Sequence, residues 1–411
     1  MFICIEERTI ATITIDSPYK VRMIKFNFNK MHRKKIAFVV ASPVTARVFL
    51  KDHMTQLVQE YDVHLLANFS KEEDKDEFVQ MEVCCHWIPI QRKISIWNDL
   101  KTLSVICQIF KQEHFESVHS VTPKAGLLTA LAGWLVRVPH RIHIYTGQVW
   151  ATRRGVMRTL LKCMDKIPAW LNTDLLVDGK SQRNFLIKEG VLKEANSQVL
   201  ADGSIAGVRL ERFVISEEVR KREREKFRFT DEDVVYIFLG RLNHDKGIEE
   251  LYKAFSKMVE ECPHAKLLLY GSDEENYEEK VRDYPALKCD ENFFYPGITR
   301  QPYDALQCGD VFVLPTWREG FGTSVLEAQA LELPVITSDA YGVVDASVPN
   351  ETGIRCGVND PEGLYQCMKW YYENPAERKL HGLNGRKRVE DKFDNNVLTA
   401  AWLRYYHEIL N

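Results

Sequence analysis

No Cys-x-x-Cys pair occurs among the ten cysteines, which are scattered from Cys4 to Cys367, and the adjacent Cys84 and Cys85 are poorly placed to bridge each other. Zinc-ribbon spacing and a disulfide framework are thereby excluded, no metal site is expected, and the thiols fit a reducing cytosol. No apolar run reaches the roughly 20 residues of a membrane span; the best candidate, from Gly126 to Val136, is too short. Residues 1–30 alternate polar and apolar side chains without the apolar core of an export signal, so they are read as an extension of unknown structure. Neither sign of charge is in surplus: 55 Lys and Arg face 58 Asp and Glu, for a net charge of −3. No global field favours nucleic acid, and any basic surface must be local. The expected location is the cytoplasm, free or peripheral on the inner face of the cell membrane.

With 411 residues, 45% of them hydrophobic, the chain is long enough for two domains with substantial cores. From Ile36 onward short apolar runs alternate with helical patterns. The runs are Ile36–Val40, Val63–Ala67, Val83–Ile88, Ser117–Ser120, Arg141–Tyr145, Asp174–Val177 and Ser197–Ala201; the helices lie near Thr45–Tyr61, Ile96–His114, Lys124–Val136 and from Ser181. Such alternation predicts a parallel sheet between helices over residues 31–210. The charged stretch Glu217–Lys226 reads as a solvated helix near a junction. Alternation restarts at Val234–Leu239, Ala265–Tyr270, Asn292–Tyr295, Val311–Leu314 and Val335–Thr337, predicting a second Rossmann-like domain over 211–393. The fold class is α/β. A final helix over 394–411 presents Leu398, Trp402, Tyr405 and Ile409 at helical spacing.

The stretch from Trp317 to Glu327 follows one of these buried strands and leads into a helix. Gly320 and Gly322 let backbone approach a ligand, and Thr323 or Ser324 is placed to cap a helix whose free N–H groups form an anion site. Glu319 and Glu327 flank that site. Carboxylates repel a phosphate, so hydroxyl groups are their natural partners, and the combination points to a nucleotide sugar. A dinucleotide fingerprint is ruled out because Val325 stands where the third glycine is needed. Asp231-Glu232-Asp233 has the letters of a metal-binding motif but precedes its strand, and reads as a turn.

Glu319 and Glu327, together with Gly240-Arg241-Leu242-Asn243-His244-Asp245-Lys246-Gly247, resemble the paired glutamates and Gly-Arg…Lys-Gly segment of retaining glycosyltransferases of family four. The resemblance implies a GT-B fold, two Rossmann-like domains facing across a cleft, with the last helix returning to the first. It further implies that Arg241 and Lys246 hold the donor diphosphate and stabilise the leaving group, while Glu327 accepts from ribose and Glu319 from the transferred sugar. The backbone of Gly320, Phe321 and Gly322 completes the cradle with Thr323, and the nucleoside passes Gly271 after the loop that Gly240 opens. Neither a metal nor a cofactor is implied. The segments Val118–Gly126 and His143–Trp150 resemble those of bacterial enzymes that build lipid-linked surface polysaccharides; many such enzymes place a histidine beside the donor sugar in the second segment, where Thr146 stands here with His143 three residues earlier, and His119 is a candidate that a satisfied strand histidine explains equally. The loop Ala41–Thr45 lacks the family's glycines, and capping by Ser42 accounts for it.

The expected reaction moves a hexose or N-acetylhexosamine, by default UDP-linked, onto a glycan or polyprenyl-diphosphate-linked acceptor. A nucleotide-sugar 2-epimerase of the same fold and a non-catalytic subunit that binds polyprenyl-linked sugars are the alternatives. Between 150 and 171, Met157, Leu160, Leu161 and Met164 share one helix face and Arg154, Arg158, Lys162 and Lys166 another. Two readings stay open there: a helix packed on its sheet, or a basic amphipathic helix against anionic lipid headgroups.

Overall fold

In a computed structural model of the protein, residues 3–6, 9–17, 20–27, 33–91 and 95–411 are described. The chain forms two compact units, one holding the residues through Ile142 with 171–173 and Leu410, the other holding 143–170, 174–409 and Asn411. Of the extension expected at 1–30, residues 1–2, 7–8, 18–19 and 28–30 lie outside the described ones. The rest forms an antiparallel sheet of Ile3–Glu6, Thr9–Ser17 and Lys20–Asn27. Its middle strand begins Thr-Ile-Ala-Thr-Ile-Thr-Ile, a run of β-branched residues of the kind that favours a pleated strand.

The first unit is built on parallel strands in the order Cys84–Trp87, Asp62–Ala67, Lys35–Val39, Ser117–Val121 and the start of His140–Tyr145. Ala37, Val39, Leu66 and Val118 bury their side chains against Ile106 and Phe110 of the helix Ile96–Glu113 and Leu128 of the helix Pro123–Val136. The helix expected over 45–61 is two helices, Pro43–Phe49 and Lys51–Leu57. Leu50, at φ −119°, separates them, and its side chain is fully buried. Ser42 caps the first of them, its hydroxyl accepting from the Val44 N–H at 3.3 Å.

The second unit contains the end of His140–Tyr145 beside Asp174–Val177 and Ser197–Gln198, and a separate six-stranded parallel sheet. The order of that sheet is Phe293–Gly297, Ala265–Tyr270, Val234–Leu239, Val311–Leu314, Val335–Ser338, Gly353–Cys356. Its central strands read as unbroken apolar runs because helices cover both faces. The charged helix Glu217–Glu225 is not the solvated rod expected. Arg224 is buried, donates to the carbonyls of Cys308, Thr230 and Asp233, and pairs with Asp310 at 3.1 Å; Arg220 pairs with the other oxygen of Asp310. The Arg224 and Arg220 guanidiniums thus tie this helix to the sheet. The helix Asn395–Leu410 starts against residues 206–208, with the Asn395 N–H donating to Val208 at 2.9 Å, and buries Leu398, Trp402 and Tyr405.

Candidate active site

In a parallel sheet every loop that follows a strand emerges on one edge, so the strand order alone lines up the segments after Tyr270, Leu239, Leu314 and Ser338. Those segments carry nearly all the residues singled out above. Gly240 and Gly271 meet back to back: a Cβ on Gly271, at φ +149°, would fall 1.6 Å from the Gly240 carbonyl oxygen. Only glycine permits that approach. The Leu242 N–H donates to Ser272 at 2.8 Å, and the Glu274 N–H returns to Leu242 at 3.0 Å. Arg241, half exposed, lies against both oxygens of Glu274 at 3.1 and 2.9 Å.

Lys246 lies at the end of the turn His244–Lys246, and its Nζ forms an ion pair with Glu319 in which both side chains are largely buried, 18% and 14% exposed. The backbone explains why they meet. Gly247 takes φ +72° and packs so tightly that a Cβ would stand 2.0 Å from the Pro315 carbonyl oxygen. The neighbouring Asp245 binds the Arg318 guanidinium at 3.0 and 2.6 Å and accepts from the Thr152 hydroxyl at 2.9 Å. Its carbonyl oxygen accepts from the Trp317 N–H and the Thr316 hydroxyl, each at 2.8 Å. Burial opposes ionisation of Asp245, but Arg318 and Thr152 outweigh it and hold the carboxyl below its usual range.

Gly322 adopts φ +96° and occupies the N-cap of the helix Thr323–Gln329; Thr323 is the first helical residue, and no side chain caps the end. The expectation that Thr323 or Ser324 caps this helix is therefore corrected: the left-handed glycine turns the chain. Phe321 is buried, its ring 5.3 Å from that of Phe393. Glu327 sits a turn into the helix, half-buried, with no hydrogen bond or ion pair among the described residues. Burial alone pushes its carboxyl up to about 7.

Further groups gather here that sequence patterning did not reveal. Gly147 packs on the loop, with a Cβ there meeting the Gly320 nitrogen at 3.0 Å; a Cβ on Gly320 would meet Asp178 Oδ2 at 2.7 Å. Asp178 is buried, and desolvation, reinforced by Glu319 and Asp345 against a backbone hydrogen bond at Ile205, raises it to about 7. Asp345 accepts from the Ser181 N–H and hydroxyl, both at 2.8 Å, and the Ser181 hydroxyl accepts from the Gly342 N–H at 2.7 Å. Tyr341 stacks on Phe185 with ring centroids 4.1 Å apart. These partners come from distant segments, and their only local signal was polar residues at strand ends. His119 belongs to the other unit: it is the middle residue of Ser117–Val121, fully buried, with its ring 5.5 Å from that of Phe38. His143 is likewise buried within its strand.

Two parallel α/β sheets, the second with cations and carboxylates along its carboxyl edge, place the protein in the GT-B class of glycosyltransferases. Its fold resembles that of Anabaena Alr3699/HepE, solved with UDP-glucose, at a TM-score of 0.77 and 15% identity over 91% of this chain and 99% of that one. Residues 219–388 match the glycosyl transferases group 1 family. The capsular polysaccharide biosynthesis glycosyltransferase CapM of Staphylococcus aureus is 33% identical over 349 residues, covering 85% of this chain and 90% of that protein. The UDP-Gal:alpha-D-GlcNAc-diphosphoundecaprenol alpha-1,3-galactosyltransferase of Escherichia coli is 25% identical over 380 residues, 87% of this chain and 95% of that one. The chain belongs to the group 1 glycosyltransferase family.

Proposed function

We propose that this protein is a retaining glycosyltransferase that moves a hexose or N-acetylhexosamine from a UDP-linked donor to a sugar carried on polyprenyl diphosphate, in the synthesis of a surface polysaccharide. The observation that carries the reading is the Lys246–Glu319 pair, held by the Asp245–Arg318 clamp, with Glu327, unpartnered among the described residues, a turn into the following helix. The donor and acceptor classes follow the name of the Escherichia relative, and the surface polysaccharide that of the Staphylococcus one.

Each group has a task it is chemically suited to. A pyrophosphate carries more charge than a carboxylate and draws Lys246 away from Glu319, which frees Glu319 to accept from a sugar hydroxyl. Arg241, exposed beside Glu274, offers a planar fork to the same diphosphate. Glu327 accepts from ribose hydroxyls. In the reaction the bond from the anomeric carbon to the phosphate oxygen breaks with both electrons leaving on that oxygen. The acceptor hydroxyl bonds to the same face of the carbon, and its proton passes to the departing phosphate. Lys246 and Arg241 act by stabilising charge on that leaving group. The basic helix Gly155–Leu171 brings the enzyme to the lipid-borne acceptor.

The test is transfer by purified protein from a panel of nucleotide sugars to a synthetic polyprenyl-diphosphate sugar, with the anomeric configuration of the product read by NMR. Donor consumption without an acceptor, or an inverted product, overturns the reading.

A further inference from the structure

The edge of the first unit's sheet carries a cluster that takes no part in the chemistry above. Asp62–Ala67 and Cys84–Trp87 run parallel with His64 opposite Cys84 and Leu66 opposite His86. Side chains two apart along a strand share a face, so His64, Cys84 and His86 project together. His64 is buried, His86 half-buried and Cys84 exposed, and one ligating atom from each lies within 4.8 Å of the others. His64 Nδ1 is 2.7 Å from His86 Nε2, and Cys84 Sγ is 3.7 Å from that same Nε2. The two imidazoles lie nearly parallel, centroids 5.0 Å apart.

We propose that His64, Cys84 and His86 form a zinc site, with a fourth position open to solvent on the Cys84 side. With zinc–nitrogen bonds of about 2.0–2.1 Å and a zinc–sulfur bond of about 2.3 Å, a tetrahedral ion separates two nitrogens by about 3.3 Å and a nitrogen from the sulfur by about 3.6 Å. The 3.7 Å spacing already fits, and the 2.7 Å pair has only to open by a little over half an ångström. One thiolate with two imidazoles is a donor set that suits zinc rather than magnesium or calcium. The second nitrogen of His64 is also oriented: its Nε2 faces Asp62 Oδ2 at 3.4 Å. That is the carboxylate–histidine arrangement which fixes Nδ1 as the free, ligating nitrogen. The expectation of no metal rested on missing Cys-x-x-Cys pairs. These donors come instead from two neighbouring strands, a pairing invisible to local spacing. An ion here clips the sheet's outermost strand to its neighbour.

Cobalt is the probe. Full-length protein freed of metal with a chelator and titrated with Co2+ is expected to bind one ion per chain with a thiolate-to-cobalt charge-transfer band in the near ultraviolet, and Zn2+ should displace it. Cys84→Ser is expected to lose the band, and Asp62→Asn to weaken binding by about 10-fold or more. In the wild-type protein, where no variant needs to fold, Zn2+ should protect Cys84 from iodoacetamide while the exposed Cys163 and Cys289 still react. A chain that gives no thiolate band, that binds Co2+ equally as His86→Ala, or whose Cys84 alkylates as fast with zinc as without, has a hydrogen-bonded cluster there and no metal site.

Discussion

At the scale of single residues the candidate site is defined by charges that the protein only half satisfies. Lys246 and Glu319 satisfy each other, and on the function proposed above a ligand that takes the lysine leaves the glutamate for a sugar hydroxyl. Lys246→Ala is expected to lower kcat about 100- to 1,000-fold, the loss usual for one transition-state stabilising group, with the fold retained by circular dichroism. Near-normal turnover would refute the role. Glu327 supplies a pH signature. Its carboxyl sits at about 7 when free, and hydroxyl donors favour the charged form, so donor binding releases a proton below that pH. Affinity should therefore be flat above pH 7 and fall towards about tenfold per unit below it, in calorimetric titrations with a nucleotide sugar. Glu327→Gln should bind more weakly and lose that slope. Asp178 is raised in the same way, but its pH dependence appears in folding stability and runs the other way. Its native value of about 7 lies above the ordinary 3.8, so between those pH values the native state holds a proton that the unfolded chain has released. Stability falls as pH rises through that window. Asp178→Asn is expected to gain roughly 1–3 kcal/mol in urea unfolding at pH 8, on a scale of about 1.4 kcal/mol per unit, and to gain little at pH 4. An equal effect at both pH values is inconsistent with the assignment.

At the scale of elements, glycines decide how closely the strand-end loops meet. Gly155→Ala puts a side chain at φ +62° where nothing stands within 4 Å, so only conformational strain of about 1 kcal/mol is expected. Gly271→Ala drives its Cβ onto the Gly240 carbonyl and should cost about 3 kcal/mol or more, lowering the urea midpoint and donor affinity together. Equal midpoints for the two variants would contradict the packing described. Such contacts also mark where the sequence was legible. Val234–Leu239 and Val311–Leu314 announced themselves as buried parallel strands because helices cover both faces, and the loops after them carried Arg241, Lys246 and Glu319. Elements without a clean apolar period were hidden. The helix Pro375–Lys392 is polar almost all round and docks through His381, Gly382, Gly385 and Val389, so it presents little hydrophobic stripe. Arg224 reads as solvated until Asp310, just before a strand far along the chain, is seen to bind it. Asp178, Ser181 and Asp345 likewise became neighbours only through tertiary packing, and Gly322 took the cap that Thr323 was expected to fill.

At the scale of the whole molecule, a net charge of −3 gives an anionic bilayer nothing to attract, so any docking must come from one local surface. Among the described residues no helix is long and apolar enough to cross a membrane. The helix Gly155–Leu171 does turn an apolar face outward: Val156 is 86% and Trp170 81% exposed, with Met157, Leu160 and Ile167 exposed between them. Two of its three cations are engaged elsewhere. Arg158 and Lys162 both pair with Glu189, at 2.8 and 2.6 Å, and both lie over the Trp150 ring. Lys166 remains exposed, joined by Arg153 and Arg154 just before the helix. Three cations near a charged surface contribute about 1 kcal/mol each at low salt, and salt screens that share. Burying a valine and a tryptophan contributes about 1.5–3 kcal/mol apiece whatever the salt. The apolar share should then survive where the ionic one fades. In sedimentation with vesicles of phosphatidylglycerol and phosphatidylcholine, the protein should stay partly bound at 0.5 M salt. Val156→Ser combined with Trp170→Ala should weaken binding about 100-fold or more, each 1.4 kcal/mol being tenfold. If salt alone abolishes binding, or the double variant binds like the wild type, this helix is not the surface that meets the lipid.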